Sequence, residues 1–478
     1  MTWTDLQAPE LAPEILLALV ALVLALLDAV MWPRRTSRAI AYATLLGLLT
    51  ALAIALQAWD RPWRGDTHWL AADPAAAFAD VLILCGVVLA ALMATGAPAS
   101  PQRAGTCLLM LPATLGAMVG AGAQDLLTLF VGFELAAISL VAYQALDDPP
   151  RGRHGLRAAL RYSGPASAAT ALSALGIACL WSASGSPAFE ALGTGLNEGS
   201  APRAAVGGGL LLAGLAVRAG AVPFHLWLAD VAVGCAPSAV MLTLSVGVLP
   251  ALIVLGRLAA GPLATLVPDL GGLLLLLAVL SSTAGALLAL PQRRLRRLLG
   301  YAVLAHVGFV LAGIATHVGE DPFSGTVFLQ LAALVPAVAG CLAVAGLAGD
   351  THGSTASGLA QSRPGQGVLL CLFLVALAGL PPTLAFAGRG ALWSALYSQG
   401  QGVVTGLVSI VLMLNGLVLA GALIRFAGRV IFDAPPPEPV PEATSAVLAA
   451  AVLAATVLLV FGLWPLPIAR AAALAAGG

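Results

Sequence analysis

The chain has 478 residues, 60% of them hydrophobic and only 9% charged, with a formal net charge of zero. Soluble proteins carry roughly a quarter charged residues, so the composition argues against a soluble enzyme. The balanced charge points to no nucleic-acid or acidic partner. All the basic residues are arginine; lysine does not occur.

A membrane-spanning helix needs about 20 mostly apolar residues. Runs of that kind start near Pro13, Arg38, Pro74, Arg103, Gln124, Arg157, Ala204, Pro237, Leu270, Leu298, Ser324, Gly367, Gln401 and Thr444. The expected fold is an all-α polytopic membrane protein of about fourteen transmembrane helices, lying in a lipid bilayer. The longest interruptions, "WSASGSPAFEALGTGLNEGSAPRA" and "FDAPPPEPVPEATS", are rich in helix breakers and leave no room for a separate soluble domain. Residues 1–478 therefore read as a single transmembrane domain. Acidic Asp5, Glu10 and Glu14 precede or open the first apolar run without a basic segment, so no cleaved signal peptide is expected.

Arginine placement suggests an orientation. The loops "WPRRTSR", "PQR", "DDPPRGRHGLRAALR", "PQRRLRR" and "RFAGR" are basic, while alternate loops such as "WDRPWRGDTHWLAAD" and "HVGEDPF" are neutral or acidic. Basic loops stay in the cytoplasm, which predicts an even number of spans with both termini outside it. The Arg293, Arg294, Arg296, Arg297 cluster fits a topology signal better than a lipid-headgroup site. The six cysteines are scattered without a C-x-x-C, so no disulfide framework, metal site or iron–sulfur site is expected.

Ionisable groups inside spans are expensive and usually mark ion or proton pathways. Glu134 lies in mid-run in "QDLLTLFVGFELAAISLVAYQAL"; Arg218 precedes a break at Pro223; Arg389 follows "LVALAGLPPTLAFAG", interrupted at Gly379, Pro381 and Pro382. Asp28 and Asp80 sit nearer span ends, where they are expected to reach headgroups. His225, just past the first break, and His306, well within its run, add two titratable groups near physiological pH. Broken helices at membrane depth are tolerated where loose backbone groups face protein or a water-filled cavity. Two readings of Glu134 and Arg218 are open: a pair that neutralises itself and fixes helix packing, or a proton-exchanging carboxylate tuned by the arginine. Arginine itself stays charged and cannot relay a proton.

These segments resemble a known family. "VRAGAVPFHLWLADVAVGCAPSAV" is similar to F-K-x-x-x-V-P-F-H-x-W-x-P-D-V-Y-x-G-A-P, the signature of the antiporter-like membrane subunits of respiratory complex I. "APEILLALVALVLALLDAV", "DLLTLFVGFELAAISL", "QRRLRRLLGYAVLAHVGFVLAG" and "LAGLPPTLAFAGR" resemble, in order, further segments of the family's subunit N branch.

The resemblance implies two inverted five-helix repeats, about 103–258 and about 270–431, flanked by helices over 13–95 and 444–465, with broken helices near Pro223 and Pro381. It further implies a hydrated row of charged residues that passes protons while partner subunits carry electrons from NADH to quinone. FMN, iron–sulfur clusters and quinone are then expected on those partners, with no cofactor in this chain. Other membrane subunits are the expected partners, in the inner membrane of a bacterium. Glu134, Arg218 and Arg389 fall on the family's charged positions, and His225 and His306 on histidines it carries. Arginine replaces lysine at both cationic positions, and Val248 stands where the family has a further lysine. Alternatives are a structural subunit that has lost the relay, or a membrane subunit of a cation/proton antiporter or hydrogenase.

Overall fold

Within a bilayer no water is at hand for backbone N–H and C=O groups, so apolar runs of this length close into helices. The computed structural model describes residues 11–31, 37–58, 69–71, 73–97, 102–146, 154–193, 196–197, 199–319, 325–347, 356–398, 402–434 and 444–467. Its first helices are α1 (Ala12–Met31), α2 (Ser37–Ala58), α3 (Pro74–Gly96), α4 (Arg103–Ala121), α5 (Leu126–Leu146) and α6 (His154–Ser184). Then follow α7 (Ala201–Ala219), α8 (Leu226–Gly234), α9 (Pro237–Thr243), a π-helical turn (Leu244–Val248), α10 (Leu249–Ala260) and the short α11 (Pro262–Leu266). The second half contains α12 (Leu270–Ala289), α13 (Leu295–Ala315), α14 (Gly325–Leu347), the short α15 (Leu359–Ser362), α16 (Pro364–Leu377), α17 (Leu384–Ser398), α18 (Val403–Phe432) and α19 (Ser445–Leu463).

Among the described residues, twelve continuous segments are long and apolar enough to cross a membrane, counting α9 to α10 as one. Two further crossings are divided, α7 from α8 and α16 from α17, which brings the expected breaks near Pro223 and Pro381 into view. The expected helix starts shift by a few residues. The run expected near Arg157 opens at His154, and the one expected near Gln401 opens at Val403. Caps and prolines, which hydropathy does not register, mark other starts. Asp73 caps α3 by accepting from the Ala76 amide at 2.6 Å, and Pro74 takes the first helical position. Asp125 opens α5, accepting from the Leu127 and Thr128 amides at 2.8 and 2.9 Å.

Burial sorts the crossings into a core and a rim. The spanning stretches of α13 and α14 are wholly buried and that of α9–α10 almost so, whereas only 17% of the α1 stretch is. A helix apolar all round suits either site, against neighbours or against lipid. Small residues allow the closest approaches: a Cβ at Gly132 of α5 would lie 2.5 Å from the Gly120 nitrogen of α4. That contact sets the depth and rotation of Glu134, two residues along α5.

Asp80 departs from its expectation. It does not reach outward from a span end; it is 8% exposed on α3 and meets the Glu14 carboxyl of α1. It faces α1, α2 and α4, lining a small cavity with Glu14, Ala55 and Met118. Parts of two arginine-bearing loops, residues 32–36 and 147–153, and Asp5 and Glu10, lie outside the described residues.

Candidate functional site: two broken helices and their arginines

The first break begins where α7 runs out. Gly220 adopts φ 70°, ψ 29°, a left-handed conformation that only glycine takes without strain, and its amide bonds to the Val217 carbonyl at 3.1 Å. Ala221 donates to the Ala216 carbonyl at 2.9 Å, Pro223 has no N–H to continue, and the chain restarts as α8 at Leu226. Arg218 thus occupies the last turn of α7, where the carbonyl end of the helix favours a cation.

Its guanidinium pairs with the Glu134 carboxylate of α5. Thr170 of α6 donates to the same carboxylate at 2.7 Å, and Arg218 also reaches the Phe133 carbonyl at 3.4 Å. The guanidinium carbon stands 5.1 Å from the Phe133 ring centroid, a cation–π distance. The side chains are 7% and 22% exposed for Arg218 and Glu134. Three helices therefore converge on one carboxylate. His225 occupies the position ahead of α8 and is not in this cluster; its Nδ1 is buried without a hydrogen-bond partner among the described residues. Trp227 of α8 donates to the Val217 carbonyl at 3.3 Å, and its ring meets that of Tyr162 at 5.0 Å, which fastens α8 back across the break.

The second break repeats the plan with the cation on the other side. Gly379 has φ 69°, and the Leu380 amide bonds to the Val375 carbonyl at 3.2 Å. Val222–Pro223 and Pro381–Pro382 are both cis peptide bonds. Arg218 precedes its break, but Arg389 lies on α17 beyond its own and folds back. Its Nη1 donates to the Ala378 carbonyl at 2.6 Å and its Nη2 to the Leu377 carbonyl at 3.3 Å. It thereby satisfies carbonyls that the end of α16 leaves without intrahelical donors. Among the described residues no carboxylate forms an ion pair with Arg389.

His306 of α13 is 5% exposed, and its Nδ1 lies 2.8 Å from the Ala302 carbonyl. A carbonyl only accepts, so Nδ1 carries the proton and Nε2 is the free acceptor. The Phe309 ring links it to the break: His306 meets that ring edge-on at 5.9 Å, and Arg389 stands 5.0 Å over it. The five expected residues thus form a first group, Glu134 with Arg218, and a second, Arg389 with His306, leaving His225 apart.

Gly379 also makes room for the arginine. A Cβ there would lie 2.5 Å from Nε of Arg389 and would have to sit at positive φ. Gly379→Ala is expected to destabilise the protein by about 1–3 kcal/mol and to push Arg389 off its carbonyls. A lower midpoint of thermal inactivation in membranes is the measurement that checks it; an unchanged midpoint contradicts the assignment.

Several polar groups at these breaks did not stand out in the sequence. Thr170 on α6 and Asn415 on α18 lie in apolar helices, where single hydroxyl and amide residues carry no charge to announce them. Val248, standing where lysine was expected, is 1% exposed at the end of the π turn. Gln144 of α5 donates to the Thr243 hydroxyl, at the end of α9, at 2.9 Å. Beyond the breaks, Arg257 of α10 pairs with Asp73 at 2.6 Å.

Residues 123–415, which hold both breaks, match the family described as NADH:quinone oxidoreductase/Mrp antiporter, transmembrane. The chain belongs to that family of antiporter-like membrane subunits. Its relatives include the NADH-quinone oxidoreductase subunit N 1 of Sorangium cellulosum, 32% identical over 420 residues that cover 83% of this chain and 81% of the relative. The subunit N of Granulibacter bethesdensis is 30% identical, with 100% and 99% covered. Among solved structures, a chain of respiratory complex I from Thermus thermophilus with bound Aureothin is 28% identical, with a TM-score of 0.80 over 98% of this chain and 100% of that one. A chain of the Mrp complex from Dietzia shares the fold, with a TM-score of 0.84 at 18% identity over 98% and 97%.

Proposed function

We propose that the chain is the subunit N component of a proton-translocating NADH–quinone oxidoreductase, and that Glu134 exchanges protons in a hydrated path through it. The observation that carries this reading is the meeting of α5, α6 and α7 on Glu134, with Arg218 at the end of a broken helix. A carboxylate held by one guanidinium and one hydroxyl is poised to accept a proton when the guanidinium swings away. Arg218 supplies the counter-charge to Glu134 in the closed pair. Arg389 plays the corresponding electrostatic part at the second break, His306 offers Nε2 as a neutral acceptor beside it, and His225 stands at the mouth of the first break. The repeats run about 103–258 and about 270–431, between flanking helices over 13–95 and 444–465.

FMN, iron–sulfur clusters and quinone belong to partner subunits in this reading, and the neighbours of this chain are other membrane subunits in a bacterial cytoplasmic membrane. Both termini lie outside the cytoplasm. Affinity purification through a tag on this chain tests the assignment. It is expected to bring down a complex that oxidises NADH with quinone; recovery of an antiporter assembly without flavin would refute it.

A second reading keeps the complex but removes the relay from this subunit. It is favoured by the two arginines and by neutral Val248 at positions where a titratable lysine was expected. Arg389→Lys separates the two. Lysine cannot form the two-pronged contact with Ala378 and Leu377, so some stability is lost, about 1 kcal/mol. If protons already cross here, the number of protons moved per electron stays as in the wild type. A clear rise in that number would show that the native arginine blocks the path.

A further inference from the structure

Hydrogen bonds that neither the ionisable residues nor the family assignment explains run from the first break to α18, and α18 packs against the arginine of the second. Val222 leaves the helical ladder just before Pro223, so its N–H needs an outside acceptor. The hydroxyl of Ser281 on α12 provides it at 3.0 Å. Successive helical residues point about 100° apart, so the adjacent Ser282 and Thr283 face elsewhere. Their target is Asn415 of α18. Its Nδ2 donates to the Ser282 hydroxyl at 3.0 Å and the Thr283 hydroxyl at 2.8 Å, which uses both protons of the amide.

The line continues to the second break. Gly416, next to Asn415, has no side chain, and a Cβ there would stand 3.4 Å from Nη1 of Arg389. The guanidinium therefore lies against α18 while it holds the Ala378 and Leu377 carbonyls. Ser281 and Ser282 are wholly buried and Asn415 is 7% exposed, while Val222 and Thr283 are half-buried.

We propose that Ser281 and Asn415 are positioning residues that hold the two helix breaks in register, so that a shift at the Glu134–Arg218 pair is passed through α12 and α18 to Arg389. The role in proton movement rests on the function proposed above; the mechanical link does not. Interhelical hydrogen bonds in membranes serve also as simple glue, worth about 0.6 kcal/mol on average. Glue acts where it sits. A link acts at a distance, and that difference is measurable.

The test is deuterium exchange, followed by mass spectrometry, on the intact purified complex. Peptides spanning 219–224 and 377–391 report the two breaks. In Asn415→Leu, uptake is expected to rise about eight-fold at 219–224, across α12 from the substitution, as well as at 377–391; the factor is that of the two interhelical hydrogen bonds lost. Ser281→Ala, a smaller change that serves if the first variant does not assemble, is expected to raise uptake at 377–391. Asn415→Gln, which keeps the amide donors, restores the wild-type pattern, whereas a general packing defect is not rescued by it. Uptake that rises only beside each substitution, or nowhere, overturns the proposal. A proton-to-electron ratio unaffected by Glu134→Gln would instead refute the proton path and leave the exchange result to judge the link on its own.

Discussion

Glu134→Gln in the reconstituted complex is expected to lower the number of protons moved per electron while NADH oxidation by quinone continues. Glutamine is the same size and its carbonyl still accepts from Thr170, which donates to Glu134 at 2.7 Å in the wild type. What it cannot do is take up and release a proton. Losing a positioned acid–base group slows proton transfer by about 10²–10⁴-fold, so this subunit's whole share of pumping is expected to disappear. Acidification by vesicles, measured against simultaneous NADH consumption, gives the ratio. An unchanged ratio in a fully assembled complex would leave the Glu134–Arg218 pair with a packing role only.

Arg218→Leu has the larger expected effect on stability. The Arg218 side chain is 7% exposed, and its loss leaves the Glu134 carboxylate without its counter-charge at membrane depth. Removing one member of a buried pair is worth about 3–5 kcal/mol, a large part of the margin that keeps most folds intact. Little assembled complex is expected, as judged by blue-native electrophoresis. The double variant Glu134→Gln with Arg218→Leu is expected to assemble better than Arg218→Leu alone, because a neutral pair has no stranded charge. It should not regain pumping. Recovery of both assembly and pumping in the double variant would show that neither residue handles protons.

Both predictions exploit a difference in what sequence can reveal. Glu134, Arg218 and Arg389 stood out because a charge amid apolar residues is visible in one dimension, and the breaks stood out because proline and glycine cannot continue a helix. The pairing itself was one of two open readings. Arg218 had no way, in sequence, to declare that it points to α5 and not to lipid or to α12. Arg389 illustrates the gap better still. Its distance from Pro381 placed it on a family position, but only the folded chain brings it back onto the Ala378 and Leu377 carbonyls instead of onto a carboxylate. Asp80 read as a span-end residue and lies buried against Glu14.

By itself, then, the sequence determined that this is a polytopic helical membrane protein, roughly how many times it crosses, and where two of the crossings break. Those properties follow from local rules: an apolar run must satisfy its own backbone, and a proline or a left-handed glycine interrupts that satisfaction wherever it stands. Only the tertiary structure decided that Arg218 meets Glu134, that Arg389 meets backbone, and that Ser281 and Asn415 stand between the breaks. Contacts between helices depend on rotation and depth, which close glycine-lined approaches such as Gly132 against Gly120 help to set. Apolar helix surfaces resemble one another too closely for hydropathy to specify that alignment.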